Sequence, residues 1–207
     1  PFKAVQIGGP SGGCLVEKHL DLPLDFDSVK KLNAIMGSGG LVVMDENSCM
    51  VDVARFFMSF TQRESCGKCT PCRIGNRRLL EILNKICRGN GTEEDLVNLK
   101  SLATIIKNTS LCGLGKCAPN PVLSTLNCFY DEYLAHVKDK KCPAAKCTAM
   151  LNYVITDDCI GCGLCKKNCP ADAITGEKKE AHVIDTTKCI KCGACMEGCK
   201  FDAIYAE

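Results

Sequence analysis

Nineteen cysteines in 207 residues constrain this chain more than any other feature, and nine of them stand in three runs of the form C-x2-C-x2-C. That spacing suits metal ligation better than disulfide pairing. Three thiolates on one tight loop can each reach a different iron of a cubane, while the fourth ligand has to come from elsewhere. The strongest signal is Cys159-x2-Cys162-x2-Cys165-x3-Cys169-Pro170, which Cys189-x2-Cys192-x2-Cys195-x3-Cys199 repeats. In a two-cluster run of this kind the last cysteine of each motif serves the other motif's cluster. The expected sets are therefore Cys159, Cys162, Cys165 and Cys199 for one [4Fe–4S] cluster, and Cys189, Cys192, Cys195 and Cys169 for the second. Gly161, Gly163 and Gly193 let backbone amides turn toward the sulfurs, which tunes potential. Lys200 stands where a second proline would be expected; no ligand is lost by it.

The repeat extends beyond the cysteines. Cys159–Thr175 aligns with Cys189–Tyr205, including Ala171-Asp172-Ala173-Ile174 against Phe201-Asp202-Ala203-Ile204, and predicts a pseudo-two-fold domain with two equivalent sites. The remaining composition is that of a globular chain, 46% hydrophobic and 24% charged. A net charge of +2 gives no footing for nucleic acid. No apolar run approaches the ~18 residues of a membrane span. Unpaired thiols at this density call for a reducing cytoplasm. The chain opens on Pro1, and Phe2–Gly13 reads like the middle of a domain, so a fragment of a longer polypeptide is expected.

Upstream, Lys3–Ile7 alternates as a short strand before the glycine-rich Gly8–Gly13. Leu41–Met44 reads as a buried strand after Gly37-Ser38-Gly39-Gly40. Met50–Gln62 carries Val53, Phe56, Phe57 and Phe60 at helical spacing. Ile74–Ile86, a helix opened by Thr92-Glu93-Glu94-Asp95 and ending near Lys107, and Val122–Val137 after Pro121 complete four helices. Short loops between them predict an antiparallel bundle. Between the first two helices lies Glu64-Ser65-Cys66-Gly67-Lys68-Cys69-Thr70-Pro71-Cys72-Arg73. Cys112, in the turn between the third and fourth helices, falls at the same end of such a bundle and can complete Cys66, Cys69 and Cys72. Cys117 competes with it, and spacing alone allows either a cubane or zinc.

Four motifs occur in this order: Gly8-Gly9-Pro10-Ser11-Gly12-Gly13, Met36-Gly37-Ser38-Gly39-Gly40, Glu64–Arg73 and Ala118-Pro119-Asn120-Pro121-Val122. Together they resemble the flavin-binding, NADH-oxidising subunit of respiratory NADH dehydrogenase. The likeness extends to the corresponding subunits of soluble multimeric [FeFe]-hydrogenases and NAD-dependent formate dehydrogenases, and it covers essentially the whole chain. The resemblance implies that Cys66, Cys69, Cys72 and Cys112 hold a [4Fe–4S] cluster that takes electrons from FMN. It also implies that the FMN and NAD(P)H sites lie mostly upstream, and that the two-cluster extension is of the hydrogenase type.

A further set surrounds the join between the halves: His136, Cys142 and Cys147 are three candidate zinc ligands. The hydrogenase resemblance points to Cys49 as the fourth. Cys14, Cys87, Cys117 and Cys128 read as small buried hydrophobes, and Lys166, Lys167, Lys191 and Lys200 as a solvated face. No catalytic triad, paired carboxylates or P-loop stands out.

The expected architecture is α+β. Residues 1–45 end a β-grasp domain, 46–137 form a four-helix [4Fe–4S] domain, 138–156 a linker with the zinc site, and 157–207 a 2[4Fe–4S] ferredoxin domain. The resemblance implies electron transfer within the diaphorase subunit of an electron-bifurcating hydrogenase, with three [4Fe–4S] clusters and zinc. Implied partners are the hydrogenase catalytic subunit, a small [2Fe–2S] thioredoxin-like subunit and soluble ferredoxin, in a hetero-oligomer. A formate dehydrogenase or other NADH:acceptor enzyme with the same subunit, or a structural scaffold whose clusters carry no electrons, are the alternatives.

Overall fold

A computed structural model describes residues 1–32 and 34–206. The chain divides into two compact units, Pro1–Cys147 and Thr148–Glu207.

The first unit begins with a three-stranded antiparallel sheet of order β2-β1-β3, made of β1 (Phe2–Ile7), β2 (Gly13–Leu15) and β3 (Leu41–Asp45). The tight return from β1 to β2 needs glycine. Gly8 sits at φ +82°, and a Cβ on Gly12 would meet the Ile7 carbonyl oxygen. A short helix, α1 (Phe26–Lys31), is capped by Asp25, whose carboxylate accepts the Ser28 amide at 2.7 Å. Val29 from α1 packs with Val5, Ile7 and Leu15. β3 forms as expected but is not buried: Leu41, Val42 and Val43 are exposed, and only Met44 turns inward. As the last strand of its sheet, β3 is covered on neither that edge nor that face by the described residues.

Six helices follow. α2 (Met50–Arg63) and α3 (Asn76–Cys87) pack against each other, α3 being entered through a single π-helical turn, Pro71–Gly75. The buried face of α2 is Met50, Val51, Ala54, Phe57, Met58 and Thr61. Sequence periodicity places that face differently, for Phe56 is 64% exposed and Phe60 40%. α4 (Glu93–Thr109) starts at a capping box in which Thr92 Oγ1 accepts the Asp95 amide at 3.3 Å and Asp95 Oδ2 accepts the Thr92 amide at 2.8 Å. Lys85 adds an ion pair to Asp95 at 2.7 Å. The expected single helix over Val122–Val137 is instead interrupted. After α5 (Gly113–Cys117) come α6 (Asn120–Cys128), α7 (Tyr130–Leu134) and a π-turn at Ala135–Asp139. Phe129 breaks the helix at φ −134°, ψ 36°. Its ring joins the cluster of Ala4, Cys14, Met44 and Met50 beneath Lys3. Packing onto the sheet outweighs helix continuity at this residue.

Helical structure reaches Asp139, and Cys142 and Cys147 are buried in the first unit. The segment expected as a linker, 138–156, is divided between the two units. Its second half supplies a 3-10 turn, Thr148–Met150, and β4 (Tyr153–Ile155) of the second unit.

That second unit contains α8 (Leu164–Lys167), β5 (Ile174–Thr175), β6 (Val183–Ile184), α9 (Ala194–Glu197) and β7 (Ile204–Ala206), with β4 paired to β7 and β5 to β6. The sequence repeat has a conformational counterpart. Gly163 and Gly193 cap α8 and α9 at φ +76° and +79°, and Asp172 and Asp202 share a left-handed turn at φ +47° and +48°. Tyr153, Cys165, Ile174, Cys195 and Ile204 make the core.

Candidate metal centres

The three cysteine constellations and the His136 set each occupy a defined place. The join of α2 to α3 carries Cys66, Cys69 and Cys72, and the turn before α5 carries Cys112. These two loops meet. The Leu111 and Cys72 backbone amides donate to Cys69 and hold its thiol below the ordinary range. A Cβ at Gly115 would lie 3.3 Å from Cys72 Cβ and 2.6 Å from Ser110 Cβ. Cys72 itself is buried, and its sulfur lies 3.3 Å from both Asn76 Nδ2 and Ser65 Oγ. Ser110 is buried in the same turn, and its hydroxyl also helps to lower Cys69. The donor set and its surroundings fit an iron–sulfur cluster. Cys117 lies on the far end of α5, half-buried, its thiol raised by burial, which disfavours it as a ligand.

Gly115 tests this juxtaposition. Gly115→Ala is expected to push the Cys112 turn off Cys72, costing ~1–3 kcal/mol from overpacking. Iron incorporation at this centre should fall while the second unit keeps its own, as read by iron analysis and EPR of the full chain. Unchanged iron content would contradict the loop contact.

In the second unit, one apolar cavity is lined by Cys159, Cys162, Cys165 and Cys199, and another by Cys189, Cys192, Cys195 and Cys169. Each brings three sulfurs of one motif to the last cysteine of the other. The cavities lie under Ile160 and Ile190 respectively. Cys165 and Cys195 are pushed up, first by burial and then by neighbouring thiols, so a cation beside them favours their thiolate form. The two sets fit two cubanes.

The most compact group is Cys49, His136, Cys142 and Cys147, all buried, with one ligand atom from each lying within 4.8 Å of every other. Cys49 Sγ is 3.3 Å from His136 Nε2 and 3.9 Å from Cys147 Sγ, and Cys147 Sγ is 3.5 Å from the same nitrogen. A tetrahedron with zinc–sulfur bonds of ≈ 2.3 Å has sulfur–sulfur edges of ~3.8 Å. The pocket matches one ion, whereas cubane thiolates stand farther apart.

Local structure orients each of these ligands. Cys49 is the N-cap of α2 and its sulfur accepts the Asp52 amide at 3.5 Å. His136 Nδ1 donates to the Glu132 carbonyl at 2.7 Å, which turns Nε2 toward the sulfurs. The Glu132 carboxylate accepts the Met50 amide and pairs with Lys3. Burial by itself depresses the His136 pKa, but hydrogen bonds to Cys142 and Cys49 outweigh it and push it up to about 10. Cys142 is held far below a normal thiol because Cys147 and Cys49 donate to it, and those two are raised correspondingly. Three sulfurs and one imidazole, buried and tetrahedrally spaced, fit a structural zinc ion.

Sequence reasoning missed Cys87, which it placed among inert core residues. At the end of α3, this buried thiol lies near Cys147 and helps to raise its pKa. Only the fold brings the two together, and no spacing in the chain signals it. Cys14 does behave as an inert core thiol: burial pushes it up to about 12 and its sulfur lies 3.0 Å from Gln6 Oε1.

Both units match known iron–sulfur protein regions. Residues 52–136 match the NADH-ubiquinone oxidoreductase-F iron–sulfur binding region, and residues 151–200 match a 4Fe-4S dicluster domain. The NADP-reducing hydrogenase subunit HndC of Solidesulfovibrio fructosivorans is 61% identical over 182 residues, 87% of this chain and 37% of the relative. An NADH-quinone oxidoreductase subunit of Mycobacterium tuberculosis H37Rv is 41% identical over 136 residues, 66% of this chain and 31% of the relative. The chain is their homologue. It spans about a third of the length of these curated relatives. An NAD+-reducing [NiFe]-hydrogenase crystallised in the H2-reduced state aligns at a TM-score of 0.59 with 33% identity, over 66% of this chain and 23% of that one. The homology carries iron–sulfur binding in both units, as the sequence predicts. Among the described residues, no helix is long and apolar enough to cross a membrane.

Proposed function

We propose that this chain is the iron–sulfur relay of an NAD(P)H-linked flavoprotein subunit in an electron-bifurcating hydrogenase. The observation that carries the reading is the coexistence of two matched regions in one chain, an NADH-dehydrogenase-type cluster region and a dicluster region. The likeness to HndC over both supports the hydrogenase context. In this reading the first unit joins part of a β-grasp domain to a four-helix cluster domain, and the second is a two-cluster ferredoxin domain.

Cys66, Cys69, Cys72 and Cys112 hold one [4Fe–4S] cluster, and the two crossed sets of the second unit hold the others. The clusters supply one-electron transfer. Backbone amides donate to the sulfurs of Cys69, Cys169 and Cys189, and apolar side chains line the sets of the second unit. Cys49, His136, Cys142 and Cys147 bind zinc, which ties the 142–147 loop to the start of α2. The FMN and NAD(P)H sites lie mostly upstream of these residues. The hydrogenase catalytic subunit, a small [2Fe–2S] subunit and soluble ferredoxin are the partners, in a reducing cytoplasm that keeps the nineteen cysteines unpaired.

Metal analysis with EPR-monitored redox titration tests this reading. About twelve irons and one zinc per chain are expected, with all three clusters reducible at low potential. Clusters that resist reduction would leave only a scaffold role.

A further inference from the structure

The two cysteine sets of the second unit are related by the repeat, yet their surroundings differ. The first loop reads Cys159-Ile160-Gly161-Cys162 and the second Cys189-Ile190-Lys191-Cys192. Gly161 and Lys191 have the same left-handed backbone, φ +65° and +58°. At Gly161 the glycine is required, because a Cβ would sit 2.4 Å from the Glu180 amide nitrogen. At position 191 a lysine adopts that conformation despite a steric cost that glycine would avoid. Its ammonium is anchored on the Ala149 carbonyl at 2.8 Å, and its amide donates to Cys189 Sγ at 3.4 Å. Lys191 thus lines one small cleft together with Cys189 and Tyr153.

Tyr153 adds to the asymmetry. Its ring is buried and lines the cavity of the Cys189 set, and its hydroxyl lies 3.1 Å from where a Cβ of Gly193 would be. By strand register Ile155 faces Ile204 as Ile184 faces Ile174, so His182 stands where Tyr153 does in the other half, one residue off the offset of 30. His182 is also buried, but it contacts Gly176 and is not part of the cavity around Cys159. Ala173 N–H also donates to Cys169 Sγ at 3.3 Å. Lys166 N–H on Cys165 and Met196 N–H on Cys195 are common to both halves. The bonds to Cys169 and Cys189 have no counterpart on Cys199 or Cys159 among the described residues.

Adding an electron makes a cluster and its thiolates more negative, so amide donors, a hydroxyl and a fixed cation favour the reduced state. We propose that the two clusters are inequivalent, the one held by Cys189, Cys192, Cys195 and Cys169 having the higher reduction potential, with Lys191 and Tyr153 setting the difference. This rests on the two-cubane reading above. One electron then settles preferentially on the second cluster; no bond forms and no proton moves.

The test is a redox titration of the full iron-loaded chain, with each wave assigned through the paramagnetically shifted β-CH2 protons of its own cysteines. Two separate waves are expected for the second unit. Lys191→Gly restores the residue of the first loop and relieves the backbone, so folding and iron content should hold. It should lower the second cluster's potential alone, changing the ratio of the two reduced clusters about tenfold at fixed poise, ~59 mV for one electron. Tyr153→Phe should move the same wave in the same direction. Coincident waves, or a Lys191→Gly shift shared equally by both, would overturn the inequivalence. Loss of one cubane's iron from the unaltered chain would overturn the two-cluster reading instead.

Discussion

Cys199→Ser is expected to remove the cluster of the first cysteine loop, although Cys199 belongs to the second motif. The reason is the crossed arrangement: Cys199 lines one cavity with Cys159, Cys162 and Cys165, while its own motif's loop meets Cys169. Serine is a hard, weakly acidic ligand that serves iron–sulfur clusters poorly. Iron should fall from about twelve to about eight per chain. The signals that survive should be those of the Cys189 set and of the first unit, identified by their cysteine β-CH2 resonances. Cys169→Ser should give the complementary result. Loss of the Cys189-loop cluster from Cys199→Ser would refute the crossing. The loss also exposes a void in a small core that contains Cys165, Cys195, Tyr153, Ile174 and Ile204. The second unit should therefore unfold at markedly lower denaturant, a consequence of metal binding being folding energy in small cluster domains.

The second large effect concerns pH and zinc at Cys49, His136, Cys142 and Cys147. Without metal, Cys142 is the group already ionised, while Cys49 and Cys147 are thiols and His136, raised to about 10, is an imidazolium. Binding zinc requires three thiolates and a neutral imidazole. About three protons leave, one each from Cys49, Cys147 and His136. Because binding releases protons, affinity rises with pH and falls as pH drops, approaching ~1000-fold per unit below pH ~10. Calorimetric titration in buffers of different ionisation enthalpy counts the protons, and chelator competition at two pH values gives the slope. A slope of one proton or less would show that His136 and two of the thiols are not all ligands. Cys142→Ser should leave the pocket unable to hold zinc and free the 142–147 loop from α2, with faster proteolysis at Lys141 and Lys146.

Much of the metal chemistry was readable along the chain because cluster ligation is local. Three ligands of a cubane fit on one short loop, so C-x2-C-x2-C is a spatial statement as well as a sequential one. The repeat at an offset of 30 was equally plain, since α8 and α9 with their left-handed glycine caps follow it residue for residue. Helix starts were legible where a side chain bonds its own turn, as at Thr92. Surfaces were not. The face of α2 that carries Phe56 and Phe60 is apolar in the chain but exposed in the fold, and the break at Phe129 exists only because the sheet offers its ring a site.

What the sequence by itself determined is which cysteines travel together and that two halves of the C-terminal region are copies. The tertiary structure alone decided what each copy faces. Cys49 and His136 are separated by 87 residues yet touch at 3.3 Å, because α2 and the π-turn after α7 converge. Cys87 reaches Cys147 only through the packing of α3. Lys191 and Gly161 occupy equal backbone positions, but the Glu180 backbone crowds one and leaves the other open to a lysine. Ligand spacing is written in bond lengths along the chain, whereas the field around a ligand set depends on side chains brought in from distant segments.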